Sequence, residues 1–260
     1  MSVVILEGNI SAGKSTLAQT LGAFLNARVF YEPTVTNPYL AKFYQNPKKY
    51  GLKMQLYLLR QRFILYVGAL RHAVSTGQTV VLDRSIFSDS VFAVTNVEQG
   101  NISEEGYDYY STLRSQMLNL LPIPESTIFL QTDPIVCQQR ILSRARSCEA
   151  GIPLDYLEAL DRNYNNFVEY MRHSGSRVLC LDWNSFGSIT AICDKLKQIL
   201  PIQRSSVCSL LFSDDFVMSR LRLEDRSTDS ESSDEDTEEE EYSLHEDVLS
   251  QTISAESVAV

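Results

Sequence analysis

Residues 8–15 read Gly-Asn-Ile-Ser-Ala-Gly-Lys-Ser, directly after the apolar run Val3-Val4-Ile5-Leu6 and at the start of a helically patterned stretch from 14 to about 26. The G-x-x-x-x-G-K-[ST] spacing in that setting commits a chain to a strand, a phosphate-binding turn and a helix, in that order. Gly8 and Gly13 free the backbone to fold its N–H groups into a nest around a β-phosphate, with the helix N-terminus behind it. Lys14 supplies a point charge between the β- and γ-phosphates, and Ser15 supplies a hydroxyl to Mg²⁺. The expected contacts to ATP are Gly8, Asn9, Ile10, Ser11, Ala12, Gly13, Lys14, Ser15 and Thr16. This loop fixes the use of a nucleoside triphosphate and leaves the acceptor open.

The rest of the first 200 residues alternates short apolar runs with helical patterns. Further strands are expected at 28–31, 79–82, 127–130 and 178–181, and helices at 51–75, 106–120, 134–143, 153–173 and 189–200. Apolar strands alternating with helices imply an α/β fold: a P-loop NTPase-type parallel five-stranded sheet with helices on both faces. Right-handed crossovers put the C-terminal ends of all the strands on one edge, where ligands bind.

The formal net charge of −10 is not spread evenly. Beyond position 200 stand 16 acidic and 4 basic residues, leaving 17 acidic and 19 basic before it. A near-neutral body without a basic stripe argues against a nucleic-acid polymer as the main partner. The stretch STDSESSDEDTEEEEY at 227–242 has almost no apolar side chain to offset the entropy of ordering it. The expected organisation is a folded domain at 1–203 and a disordered acidic tail at 204–260, read first as a solvating segment and second as a docking motif for an unidentified partner. The five cysteines are scattered without a CxxC pair, and no apolar run is long enough to span a bilayer. With a strand expected almost from the first residue, these features lead to the expectation of a reduced, cytoplasmic protein without membrane association.

Three groups face the acceptor side. Glu32, at the end of the second expected strand, is placed either to take the proton of an attacking hydroxyl or simply as an exposed turn acid. Asp83-Arg84-Ser85 ends the third. Arg84 can neutralise charge on a transferring phosphoryl group and Asp83 can hold Mg²⁺, with a structural ion pair as the competing reading. Arg140, Arg144 and Arg146 lie beside Gly151-Ile152-Pro153-Leu154 and form either a lid over the triphosphate or a solvated basic face.

Taken together, GNISAGKST, Glu32-Pro33, YQNPKKYGLKMQLYLLRQR, DRSIFSDSVFA and RILSRARSCEAGIPLDYLE resemble the deoxyribonucleoside kinase family, in its deoxycytidine, deoxyguanosine and deoxyadenosine kinase branch, over essentially all of residues 3–200. The resemblance implies ATP-dependent 5′-phosphorylation of a deoxyribonucleoside with Mg²⁺, and a homodimer. It implies Glu32 as general base and Arg84 beside the 5′-oxygen and the phosphoryl group. Tyr44 and Glu149 match the pair on the sugar 3′-hydroxyl, Gln55 the contact to the base edge, and Arg62 with Asp89 the charged pair behind the base. Arg140, Arg144 and Arg146 match the lid arginines. A buried Arg62–Asp89 pair offers donors and acceptors that suit cytosine or a purine better than thymine. The chain departs from the family at Asp83, where Glu is common, at Ala93, where animal deoxycytidine kinases carry a stacking Phe that Phe92 or Phe87 could replace, and at Cys148, which replaces an acid.

Two other functions compete. A thymidylate-type monophosphate kinase shares the phosphate loop and arginine lid, but Glu32 suits a neutral hydroxyl better than a phosphate dianion. A non-catalytic relative, such as the accessory subunit of respiratory complex I that the family resembles, is disfavoured by the intact Lys14, Glu32 and Arg84.

Overall fold

The computed structural model describes residues 2–32, 37–146, 149 and 151–199. Pro33, Cys148, Cys208 and the expected tail 204–260 lie outside these residues.

Five parallel strands form one sheet in the order β2-β3-β1-β4-β5. They are β1 (Val3–Gly8), β2 (Arg28–Tyr31), β3 (Val80–Asp83), β4 (Ser126–Gln131) and β5 (Arg177–Asp182). The helices are α1 (Lys14–Leu25), α2 (Leu40–Gln45), α3 (Pro47–Thr76), α4 (Asp89–Glu98), α5 (Glu104–Leu118), α6 (Pro134–Arg144), α7 (Leu154–His173) and α8 (Ile189–Ile199). Parallel pairing throughout meets the expectation from the alternating pattern, because each crossover carries a helix back over the sheet.

β1 lies at the centre and all six of its residues are buried. It pairs with β3 on one side and β4 on the other, in registers that set Leu6 against Asp83 and Gly8 against Leu130. From β1 the chain moves to the edge strand β2, returns to β3 beside β1, and then crosses to β4 and β5 on the other side. The crevice at the C-terminal end of β1 is therefore the topological switch point, where open α/β sheets bind ligands.

Helix α3 is longer than the apolar spacing suggested. Asn46 accepts a hydrogen bond from the Lys49 N–H and Pro47 occupies the first turn, so the helix opens four residues before Gly51. Its buried stripe runs through Met54, Leu58, Leu59, Phe63, Tyr66, Val67, Leu70 and Ala73 and also carries Gln55 and Arg62 inward. Helices α2 and α4 were absent from the sequence reading. The first is only six residues long, and the second begins inside the polar DRSIFSDS run, where the helical period is hidden.

Candidate active site

The phosphate loop needs its two glycines for separate reasons. Gly8 has φ 147°, and a Cβ there would stand 2.8 Å from the Leu130 carbonyl oxygen on the neighbouring strand. Gly13 has φ 103°, and a Cβ there would meet the Trp183 indole nitrogen at 3.1 Å. Lys14 folds back over the loop, donating from Nζ to the carbonyls of Gly8 at 3.1 Å and Asn9 at 2.7 Å. Burial first, then the nearby Arg84 guanidinium, push its pKa down to about 7, against the pull of Asp83, Glu32 and Glu7. The Ser15 hydroxyl donates to Asp83 Oδ2. A hydroxyl and a carboxylate side by side at the loop mouth are hard oxygen donors, the kind that suit Mg²⁺ together with water and phosphate oxygens. Asn9 ties the loop to α7, its Nδ2 donating to the Leu157 carbonyl at 2.8 Å.

Beyond the ends of β2 and β3, four side chains form one charged chain. Arg62 donates from Nη1 to Asp89 Oδ1 at 2.5 Å, and from Nε and Nη2 to Glu32 Oε1 at 2.8 and 2.5 Å. Arg84 Nε lies 3.3 Å from Glu32 Oε2. Burial alone would raise the Glu32 pKa, but Arg62, Arg84 and Lys14 together hold it below its usual value. Glu32 is thus ionised at neutral pH, and of the two readings the exposed turn acid does not describe it. Both guanidinium groups sit over the Phe92 ring, Arg62 at 5.2 Å and Arg84 at 4.7 Å from its centroid. Phe87 instead packs edge-on against Tyr66 in the core, and Ala93 is buried.

The base-edge candidate Gln55 is fully buried on α3. Its Nε2 donates to the Asp89 carbonyl at 3.1 Å and to Asp89 Oδ2 at 2.7 Å, while Oε1 has no hydrogen-bond partner among the described residues. Tyr44 lies on α2, its ring edge-on to Phe43 in a small cluster with Met54 and Leu58.

The three arginines after β4 divide into two groups. Arg140 donates to the carbonyls of Ala12, Trp183 and Asn184 and lies 4.8 Å over the Phe186 ring, which ties α6 to the phosphate loop. Arg144 and Arg146 both bind Glu149, Arg146 at 2.7 Å, and Glu149 is buried although each arginine stays about one-third exposed. In this state the expected lid arginines Arg144 and Arg146 and the expected sugar-binding carboxylate neutralise one another.

Three buried groups at the site went unread in the sequence. Glu7, the acid inside the apolar run of β1, accepts from the Ser85 hydroxyl at 2.7 Å, and burial raises its pKa. Tyr110 on α5 donates to Asp89 Oδ2 at 2.7 Å. Tyr164 on α7 accepts a hydrogen bond from Arg84 Nη1. Glu7 could have been noticed as a carboxylate in an otherwise apolar strand. The two tyrosines read as ordinary core aromatics, since only the fold reveals where their hydroxyls end.

The sequence model of the family described as deoxynucleoside kinase matches residues 4–201. The chain is 48% identical over 194 residues to the deoxyguanosine kinase of Dictyostelium discoideum, covering 75% of this chain and 68% of that protein. It is 34% identical over 183 residues to the deoxyadenosine kinase of the same organism, covering 70% and 73%. The fold is similar to the solved deoxyadenosine kinase from M. mycoides with the products dCMP and a flexible dCDP bound, with a TM-score of 0.68, 27% identity, and 76% of this chain and 100% of that one covered.

Proposed function

The chain belongs to the deoxynucleoside kinase family, and we propose that it transfers the γ-phosphoryl group of ATP to the 5′-hydroxyl of a deoxyribonucleoside, with purine deoxynucleosides and deoxycytidine favoured over thymidine. The observation that carries this reading is the continuous chain Asp89–Arg62–Glu32–Arg84, which runs from the start of α4 to the Gly8 carbonyl of the phosphate loop.

In the proposed reaction the nucleoside lies along that chain. Glu32 accepts the 5′-hydroxyl proton as the bond from O5′ to the γ-phosphorus forms. The bond from that phosphorus to the bridging oxygen breaks, and ADP leaves with the electron pair. Arg84 faces the charge on the moving group, and Lys14 leaves its loop carbonyls for the β- and γ-phosphate oxygens. Backbone amides from Gly8 to Thr16 hold the β-phosphate. Ser15 and Asp83 would hold Mg²⁺, which when bound supplies charge neutralisation on the triphosphate. Arg144 and Arg146 exchange Glu149 for phosphate oxygens, freeing Glu149 to take the sugar 3′-hydroxyl with Tyr44, while Arg140 supports the loop from the donor side.

Gln55 and the Arg62–Asp89 pair read the base. The unpartnered Oε1 of Gln55 is a ready acceptor for a base N–H. A thymine in place of an amino-bearing base leaves buried polar groups unmatched, at a cost of about 1–3 kcal/mol. The similarity to a deoxyguanosine kinase supports placing deoxyguanosine among the favoured substrates. Assembly as a homodimer and action in the cytoplasm belong to the same proposal, the first resting on family resemblance and the second on the free thiols Cys137, Cys180 and Cys193.

The test is a panel of the natural nucleosides, deoxy and ribo, and of the deoxynucleoside monophosphates, with ATP and Mg²⁺ and ADP release as the signal. Turnover of deoxyadenosine, deoxyguanosine or deoxycytidine above thymidine is the expected result. Turnover of the monophosphates alone would replace this reading with a monophosphate kinase.

A further inference from the structure

Resting on the role proposed for Arg84, we infer that Tyr164 is a positioning residue whose hydroxyl sets the orientation of the Arg84 guanidinium toward the phosphoryl group. Arg84 begins from an unusual backbone. Its φ is 71°, in the left-handed region, and its N–H is tied to the Leu6 carbonyl at 3.0 Å. The side chain leaves that turn buried and makes three polar contacts. Nε faces Glu32 Oε2, while Nη1 donates to the Gly8 carbonyl at 3.1 Å and to the Tyr164 hydroxyl. The hydrogen bonds of the guanidinium among the described residues all come from Nη1, so Nη2 is the arm left for a ligand.

Two of those three anchors change during turnover. The Gly8 carbonyl is shared with Lys14, whose ammonium moves toward the triphosphate. Glu32 loses its charge when it takes the 5′-hydroxyl proton, and its hold on Arg84 weakens at the moment the phosphoryl group is in flight. Tyr164 undergoes neither change. Its ring is fully buried, stacked on Phe129 at 5.6 Å and edge-on to Phe92 at 6.3 Å and Phe167 at 6.1 Å, so it cannot swing away. Burial also raises the phenol pKa and keeps the group neutral. The hydroxyl is thus the one hydrogen-bonding anchor of the Arg84 guanidinium that stays constant from bound substrates to products, beside the stacking contact to Phe92.

The test is a double-mutant cycle of Tyr164→Phe with Arg84→Ala, with kcat, both KM values and the thermal midpoint measured for all four proteins. Tyr164→Phe keeps the ring packing and removes only the oxygen. The expected result is a kcat loss of about tenfold with both KM values within about twofold, a thermal midpoint close to that of the unmodified protein, and no further loss in the Arg84→Ala background. Wild-type turnover in Tyr164→Phe beside a slow Arg84→Ala overturns the positioning role and leaves that of Arg84 standing. A fast Arg84→Ala removes the role of Arg84 itself. An equal loss in both backgrounds, or a collapsed thermal midpoint, assigns the hydroxyl to the fold and overturns the inference.

Discussion

Lys14 and Arg84 meet on a single atom: Nζ of the first and Nη1 of the second each donate to the Gly8 carbonyl oxygen at 3.1 Å. Two cations on one acceptor repel each other, which adds to the effect of burial on the Lys14 pKa. In the proposed reaction an incoming triphosphate would give Lys14 its own anion and remove that conflict.

Donor binding should therefore take up a proton. With Lys14 titrating at about 7 in the free protein and higher once phosphate is bound, the ammonium is already present at pH 6 and has to be formed at pH 8. ATP affinity, corrected for the ionisation of ATP, should fall as pH rises above about 7, by up to about tenfold per unit. Calorimetric titration at pH 8 in buffers of different ionisation enthalpy should show the proton uptake, and Lys14→Met should lose it.

Glu32 yields a prediction of the opposite sign. Its folded pKa is held below the usual carboxylate value, so the carboxylate is present throughout the neutral range and is lost only as pH falls through that lowered value. No acid limb attributable to Glu32 should appear in kcat/KM between pH 5 and 7, within about half a unit of either end. Glu32→Gln should lower kcat by about 10²–10⁴-fold, and equilibrium dialysis should show the nucleoside still bound.

Arg62 and Asp89, though paired, should fail differently. Asp89→Asn alters the base side and should raise the nucleoside KM with kcat within about threefold. Arg62→Lys removes the fork that also holds Glu32, and should lower kcat by about tenfold or more in addition to raising KM. Steady-state kinetics of the two variants on one nucleoside separates these outcomes.

Gly51 tests the packing of α3. Helix propensity alone favours alanine there by about 1 kcal/mol. A Cβ at that position would stand 2.6 Å from the Asn101 carbonyl oxygen, a backbone atom with little freedom to retreat. Gly51→Ala should destabilise the protein by about 1–3 kcal/mol, read from urea unfolding.

The sheet and the phosphate loop were legible in the sequence because their signals are local. Val3 to Ser15 carries strand, turn and helix start in thirteen consecutive residues, and each later strand is an apolar run bounded by breakers. The pairing of Arg62 with Asp89 was expected from resemblance, but its second hold on Glu32 was not, since 30 residues separate the two and nothing local to either marks the contact. Arg140 was grouped with Arg144 because they stand four apart on α6. Of the three carbonyls that capture it, one lies in the phosphate loop and two follow β5, more than 40 residues on, and no helical spacing announces a backbone acceptor. The start of α3 was missed for a related reason: Asn46-Pro47 is a plain start signal, but the apolar stripe begins only later.

Helix α7 touches the phosphate loop through the Leu157 carbonyl and Arg84 through the Tyr164 hydroxyl, two turns apart along one axis. A helix transmits displacement along its length with little deformation, so these two contacts shift together or not at all. The stretch holding Arg144, Arg146 and Glu149 leads into the first turn of that helix. A displacement of the N-terminal end of α7 would reach the phosphate loop and the Arg84 side chain together, giving both sides of the crevice a common mechanical timer.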